Sequence, residues 1–182
     1  TAAKLRARGC DVLLAPLLRV ALLDRADLGS GPWGAVAMTS ANAARAIAGH
    51  PRLAELLRLP VFTVGRRTAD AARAAGFTAV KSADGNVRDL ARLIGSHGGA
   101  AGPLLYLAGE DRAGDLAADV AAYGVMVAIV EVYRAAMAAS IPPPVQAALM
   151  AGEVEGILHF SRRSAEAYIH CAKATGILDR AL

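Results

Sequence analysis

Cysteine is scarce in this sequence: Cys10 and Cys171 are the only two among 182 residues. Two thiols cannot build a disulfide framework in a chain of this size, so a reducing cytoplasm is the expected compartment. Aromatic residues make up 4%, which leaves few platforms for stacking single-stranded bases. No basic helix, zinc-finger spacing or RRM-type motif occurs either, so nucleic acid is not an expected partner. No apolar run approaches the ~20 residues of a membrane span, and the basic start, apolar middle and small-residue cleavage site of an export signal are missing. A folded, soluble protein with no membrane partner is the expectation.

Cofactor motifs are missing as well. Dinucleotide binding would want G-x-G-x-x-G after a strand, and the sequence has none. Gly109 to Gly114 carries the two glycines of a phosphate loop, but Asp115-Leu116 stands where Lys and Ser or Thr would contact phosphate and magnesium. That stretch reads as a helix start, with Asp111 favourable near the positive end of the dipole. No serine sits in a G-x-S-x-G elbow. His50, His97, His159 and His170 share no zinc-like spacing. Neither a metal nor a cofactor is expected.

Apolar residues are plentiful, at 55% against 20% charged, enough for a sizeable core. A net charge of +4, from 20 Lys+Arg against 16 Asp+Glu, mildly favours an anionic partner. The chain is organised around one unit: the apolar run Ala35-Val36-Ala37-Met38, the polar corner Thr39-Ser40-Ala41-Asn42, then the helical run Ala43-Ala44-Arg45-Ala46-Ile47. Such a corner presents hydroxyls and unpaired helix amides at the carboxyl end of a strand, where open α/β sheets bind ligands. A similar unit returns at Gly156-Ile157-Leu158-His159-Phe160 and Ser161-Arg162-Arg163-Ser164-Ala165. The pattern suggests two facing corners with the function between them.

Taken in order, Thr1 to Arg8 reads as a helix with Gly9 at its end, and Asp11 to Pro16 as a strand. A parallel α/β unit normally opens with a strand before its helix, so an N-terminal piece is expected to be missing, and the C-terminus is expected to stop in mid-domain. Further strands are expected over Leu17 to Leu23, Leu59 to Gly65, Thr78 to Lys81, Pro103 to Leu107 and Val125 to Tyr133. Helices are expected over Thr68 to Ala75, Val87 to Ile94, Ala113 to Tyr123 and Val145 to Gly152. From Gly34 onward five apolar strands alternate with four helices, the pattern of a doubly wound α/β domain with a parallel sheet covered on both faces. Ile141-Pro142-Pro143-Pro144 breaks structure and announces a new segment. The expected organisation is a discontinuous, truncated domain 1 of residues 1–17 plus 136–182, an inserted domain 2 of residues 24–130, and linker strands at 18–23 and 131–135.

The candidate site is a set of hydroxyl and amide corners: Thr39-Ser40-Asn42, Gly65 and Thr63 with Thr68, and Ser161 with Ser164. Each also reads as a helix N-cap, since Ser, Thr and Asn satisfy helix-start amides by preference. Their repetition at the same end of successive strands favours binding, because one concave face would gather them. Arg66, Arg67, Arg112, Arg162 and Arg163 fall in the same corners, either to steer a polyanion or to form a solvated rim.

Several of these segments carry a family resemblance. Met38-Thr39-Ser40-Ala41-Asn42-Ala43 resembles the F-T-S-x-x-A corner of uroporphyrinogen-III synthases, and Val61-Phe62-Thr63-Val64-Gly65-Arg66-Arg67-Thr68-Ala69 is similar to their V-G-x-x-T-A segment. Glu131-Val132-Tyr133-Arg134 resembles the V-Y segment at their domain crossing, and His159 to Ala165 their second F-x-S corner. The family's opening strand with its T-R-P turn is absent, as is its closing region. The resemblance implies two HemD-like, flavodoxin-like α/β domains joined by a two-stranded ladder, with a cleft between them. It implies a cofactor-free reaction in which hydroxymethylbilane, a linear tetrapyrrole rich in carboxylates, loses water and closes to uroporphyrinogen III with ring D inverted. Tyr133 then becomes the catalytic candidate, as a donor to the departing hydroxyl. Thr39, Ser40, Asn42, Gly65, Thr68, Ser161 and Ser164 become substrate-binding candidates. A monomer is expected, with transient hand-over from hydroxymethylbilane synthase. The competing expectation is a two-domain binding protein that closes on a small anion without transforming it.

Overall fold

The computed structural model describes residues 1–97, 102–112 and 114–181. Along the chain come α1 (Ala2–Arg6), β1 (Leu18–Leu22), β2 (Ala35–Met38), α2 (Ala41–Ile47), α3 (Leu53–Leu56), β3 (Val61–Thr63), α4 (Arg66–Ala74), β4 (Val80–Ser82), α5 (Val87–Ser96) and β5 (Leu104–Gly109). Then follow α6 (Leu116–Ala121), β6 (Val127–Met137), α7 (Pro143–Ala151), α8 (Arg162–Ala174) and α9 (Leu178–Ala181). Among the described residues no helix is long and apolar enough to cross a membrane.

Six strands form one sheet in the order β1-β6-β5-β2-β3-β4. The β2–β3, β2–β5, β3–β4 and β5–β6 ladders are parallel. β1 runs antiparallel to β6, since Leu23 N donates to Val132 O and Ala138 N to Leu17 O. The fold is thus α/β with a mostly parallel sheet. The chain divides into two compact units, Thr1–Arg19 with Ala136–Leu182, and Val20–Ala135.

In the Val20–Ala135 unit, β2 and β5 are buried at every residue, which is why their sequences show no polar alternation. Successive side chains point to opposite faces of a strand, and two cores result. Val36, Met38, Leu105 and Leu107 pack with Ile47 of α2 and Ala72 of α4. Ala35, Ala37, Leu104 and Tyr106 pack with Leu90 and Ile94 of α5 and Val120 of α6. Helices therefore cover both faces, the doubly wound arrangement. Counted along this unit from β2, the strands lie in the spatial order fifth, fourth, first, second, third. That differs from the expected flavodoxin-like order, in which the second strand is at an edge beside the first. Here three strands extend on one side of the switch because both crossovers after β2, through α2 and α4, continue in one direction.

The other unit holds α7, α8 and α9 around Leu17, Ile141, Leu149, Ala167, Tyr168 and Cys171, and also contains α1, which buries no residue. Two expected strands do not form there: Asp11 to Pro16 and Gly156 to Phe160 are irregular. A strand needs a ladder partner to satisfy its amides and carbonyls, and neither segment joins the sheet. Phe160 is accordingly 77% exposed. The prolines do not simply break structure: Pro143 and Pro144 open α7, at positions whose amides have no intrahelical partner anyway. Glu131 to Ala135, expected as a linker strand, lies within the longer β6. Ala113, the expected start of a helix, lies outside the described residues; α6 begins at Leu116, with the Asp115 side chain accepting from Ala118 N at 3.1 Å. Cys10 is exposed, Cys171 is buried, and both are free thiols.

Candidate functional site

The winding direction of the Val20–Ala135 sheet reverses between β2 and β5, which pair although β3 and β4 lie between them in sequence. Such a switch point opens a crevice outside the carboxyl ends of the two strands, where doubly wound sheets bind ligands. β2 runs directly into Thr39 and Ser40. Thr39 is half-buried, and its Oγ1 lies 2.9 Å from the phenol oxygen of Tyr106 on β5, so one hydrogen bond spans the switch. Ser40 caps α2: its backbone is extended and its Oγ accepts from Asn42 N at 3.2 Å. Asn42 Oδ1 accepts from Arg45 Nη1 at 3.1 Å.

One strand further along the edge, Gly65 is the N-cap of α4, in extended backbone with no side-chain cap. Thr68 in the first turn is only 5% exposed, and the Thr63 hydroxyl donates to Lys81 O at 3.3 Å. At the end of β4, Ser82 Oγ donates to Asp84 Oδ1 at 2.6 Å and Arg66 Nε to Asp84 Oδ2 at 3.0 Å. The Ser82 hydroxyl first, and then the Arg66 guanidinium, hold the Asp84 carboxyl below its ordinary range.

On the opposite side of the switch, β5 ends at Gly109 beside a bulge. Ala108 is opposite Glu131, but Gly109 is opposite Tyr133, which leaves Val132 as the extra residue. Bulges re-aim side chains, and here the Tyr133 ring comes to lie over Gly109. A β-carbon on Gly109 would fall 2.5 Å from Tyr133 Cε2 and 2.8 Å from its phenol oxygen. Glu110 N donates to Tyr133 O at 3.0 Å, and Arg112 Nη1 pairs with Glu131 at 3.3 Å. Burial pushes the Tyr106 phenol up; the Thr39 hydrogen bond opposes this, Tyr133 adds to it, and Arg112 again opposes it. Thr39, Tyr133 and Arg112 therefore each lie within electrostatic reach of the Tyr106 phenol. A cavity of about 780 Å³ in the same unit shares Arg112 and Glu131 and is otherwise lined by residues including Leu22, Asp24, Asp27 and Ile129.

Thr39, Ser40, Asn42, Gly65, Thr68 and Tyr133 thus belong to one unit and one sheet edge. Ser161 and Ser164 belong to the other unit, where they form a capping box for α8: Ser164 N donates to Ser161 Oγ at 3.1 Å and Ser161 N to Ser164 Oγ at 3.2 Å. Arg162 pairs with Glu166 at 2.7 Å. Arg67 lines an alanine-rich groove of about 430 Å³ between α2 and α4. Sequence reasoning passed over Tyr106 and weighed Gly109 only as part of a phosphate loop. The available signal was a lone hydroxyl in the apolar run Leu104-Leu105-Tyr106-Leu107, and a glycine where that strand ends. Among the described residues, no group of three or more His, Cys, Asp or Glu is placed to hold a metal ion.

A doubly wound unit whose mostly parallel sheet switches direction between β2 and β5 defines an open-sheet α/β protein. Residues 1–182 match the family model for uroporphyrinogen-III synthase HemD, and the chain belongs to that family. Its structure is similar to uroporphyrinogen-III synthetase from Helicobacter pylori, with TM-score 0.62 and 18% identity over 85% of this chain and 70% of that one. It is also similar to a mutant uroporphyrinogen III synthase from Thermus thermophilus, with TM-score 0.54 and 16% identity over 98% of this chain and 75% of that one. At such identity the likeness is one of fold. Comparison with curated protein sequences gives no match.

Proposed function

We propose that the protein is a uroporphyrinogen-III synthase, closing hydroxymethylbilane to uroporphyrinogen III with loss of water and inversion of ring D. The observation that carries this reading is the re-aimed Tyr133 beside a switch point bearing Thr39 and Ser40, in a chain that belongs to the family along its whole length. Hydroxymethylbilane also closes without an enzyme, to the wrong isomer, so the protein's task is mainly to hold the substrate in the conformation from which the spiro intermediate forms.

Residues of the sheet edge suit that task. In this reading the Tyr133 phenol donates a hydrogen bond to the departing hydroxyl as it leaves as water. Thr39, Ser40, Asn42, Gly65 and Thr68 take substrate carboxylates, partly through backbone amides at helix starts. Ser161 and Ser164 form a further carboxylate corner. The two units then act as two domains of a cytoplasmic monomer that needs no cofactor and receives its substrate from hydroxymethylbilane synthase.

The test is a coupled assay in which hydroxymethylbilane is generated in place and the uroporphyrinogen isomers are separated by chromatography. Predominant type III product supports the reading. Type I product alone, at the rate seen without protein, overturns it and leaves a binding role.

A further inference from the structure

Tyr106 is 3% exposed, in the middle of a fully buried strand, yet its phenol oxygen reaches Thr39 Oγ1 across the switch point at 2.9 Å. Two hydroxyls share this one bond, and either is able to donate. If Thr39 donated, the Tyr106 proton would need another acceptor in an apolar core formed with Ala37, Leu90 and Leu104, and leaving a buried donor unmade is costly. If Tyr106 donates, no proton is stranded, because half-buried Thr39 at the sheet edge keeps its own hydrogen for a ligand. The phenol is also the more acidic hydroxyl and so the better donor.

We propose that Tyr106 is a positioning residue that donates to Thr39 Oγ1 and thereby fixes the Thr39 hydroxyl as a hydrogen-bond donor aimed at a substrate carboxylate. The chemistry is selective. An ionised carboxylate only accepts hydrogen bonds, so a threonine that accepts from a phenol and keeps its own proton to donate matches it. A bond between β2 and β5 also ties the two walls of the crevice at the point where the sheet offers no short connection. Burial of Tyr106 works in the same direction, since it keeps the phenol protonated.

This inference rests on the reading of the protein as a uroporphyrinogen-III synthase, and its test separates the two. Turnover of hydroxymethylbilane and calorimetric binding of uroporphyrinogen III under nitrogen are measured for the intact chain and for Tyr106→Phe, Thr39→Val, Thr39→Ser and the Tyr106→Phe/Thr39→Val pair. Tyr106→Phe is expected to raise KM and Kd by roughly three- to tenfold with kcat little changed, the size of one neutral hydrogen bond. Thr39→Val does the same, Tyr106→Phe adds nothing in that background, and Thr39→Ser restores near-original affinity. Circular dichroism confirms folding of each variant. An unchanged KM and Kd in Tyr106→Phe, or an equal loss from it with and without Thr39→Val, overturns the inference. If the unaltered chain binds uroporphyrinogen III but does not turn over hydroxymethylbilane, the synthase reading fails while the binding cycle still decides the role of Tyr106. Absence of both turnover and binding by the unaltered chain overturns both.

Discussion

Tyr133 and Gly109 occupy one site between them: the phenol ring stands where the β-carbon of any other residue at 109 would be, 2.5 Å from Cε2. The contact follows from the bulge that sets Gly109 opposite Tyr133 rather than Val132. Gly109→Ala is therefore expected to push the ring away rather than to disrupt the strands, because the clash falls on the far end of a side chain. Thermal unfolding should change little, by about 1 kcal/mol or less. Formation of the type III isomer should slow on the order of 10- to 100-fold, as for a catalytic group displaced by about an ångström. Unaltered turnover would show that the ring position is unimportant.

Tyr133→Phe keeps the ring and removes only the hydroxyl. The expected result is a fall in kcat of about 100-fold, at the low end for a lost proton donor, with the melting temperature unchanged. Full activity in the stopped coupled assay would remove Tyr133 from the mechanism.

Ser161 caps α8, a helix of 13 residues, and shares its box with Ser164. Ser161→Ala is expected to cost about 1 kcal/mol in urea unfolding. Its effect on KM should be smaller than that of Thr39→Val, because backbone amides at the helix start survive the change. A larger effect on KM than on stability would assign the hydroxyl itself to substrate.

Asp84 is the carboxylate that receives both Ser82 and Arg66, and its pKa lies below the ordinary value. A folded-state value below the unfolded one stabilises the fold above the usual aspartate range of about 4, and that contribution is lost as pH falls through the lower, folded value. Asp84→Asn should therefore flatten the acid limb of a stability profile while leaving the neutral-to-alkaline limb alone. An unchanged acid limb would show that the triad adds nothing.

Tyr106 and Tyr168 have pKa values raised by burial. Their contributions to stability are complete below the unfolded value of about 10 and disappear as pH rises through the higher, folded values. In a spectrophotometric titration, Tyr106 and Tyr168 should ionise late, and Tyr106→Phe should remove one late step. Four indistinguishable ionisations would contradict the burial seen here.

Much of this molecule was legible in the one-dimensional pattern. The apolar runs of β2 and β5 were readable because both faces of each strand are buried, which removes polar alternation. Ser40 and Ser161 announced helix starts through local capping, and each does accept an amide within its own turn. The family, too, could be read from short corners of this kind. Asp11 to Pro16 and Gly156 to Phe160 misled because apolar composition permits a strand without supplying its hydrogen-bond partner, and the sheet offers them none. What depended on the assembled chain was everything set by strand neighbours far apart in sequence: the order of the sheet, the bulge that turns Tyr133 onto Gly109, and the Tyr106 to Thr39 bond across 67 positions. Local propensity acts over a turn or two of chain, whereas register between distant strands is chosen by the packing of a whole buried face, and for that reason it became visible only in three dimensions.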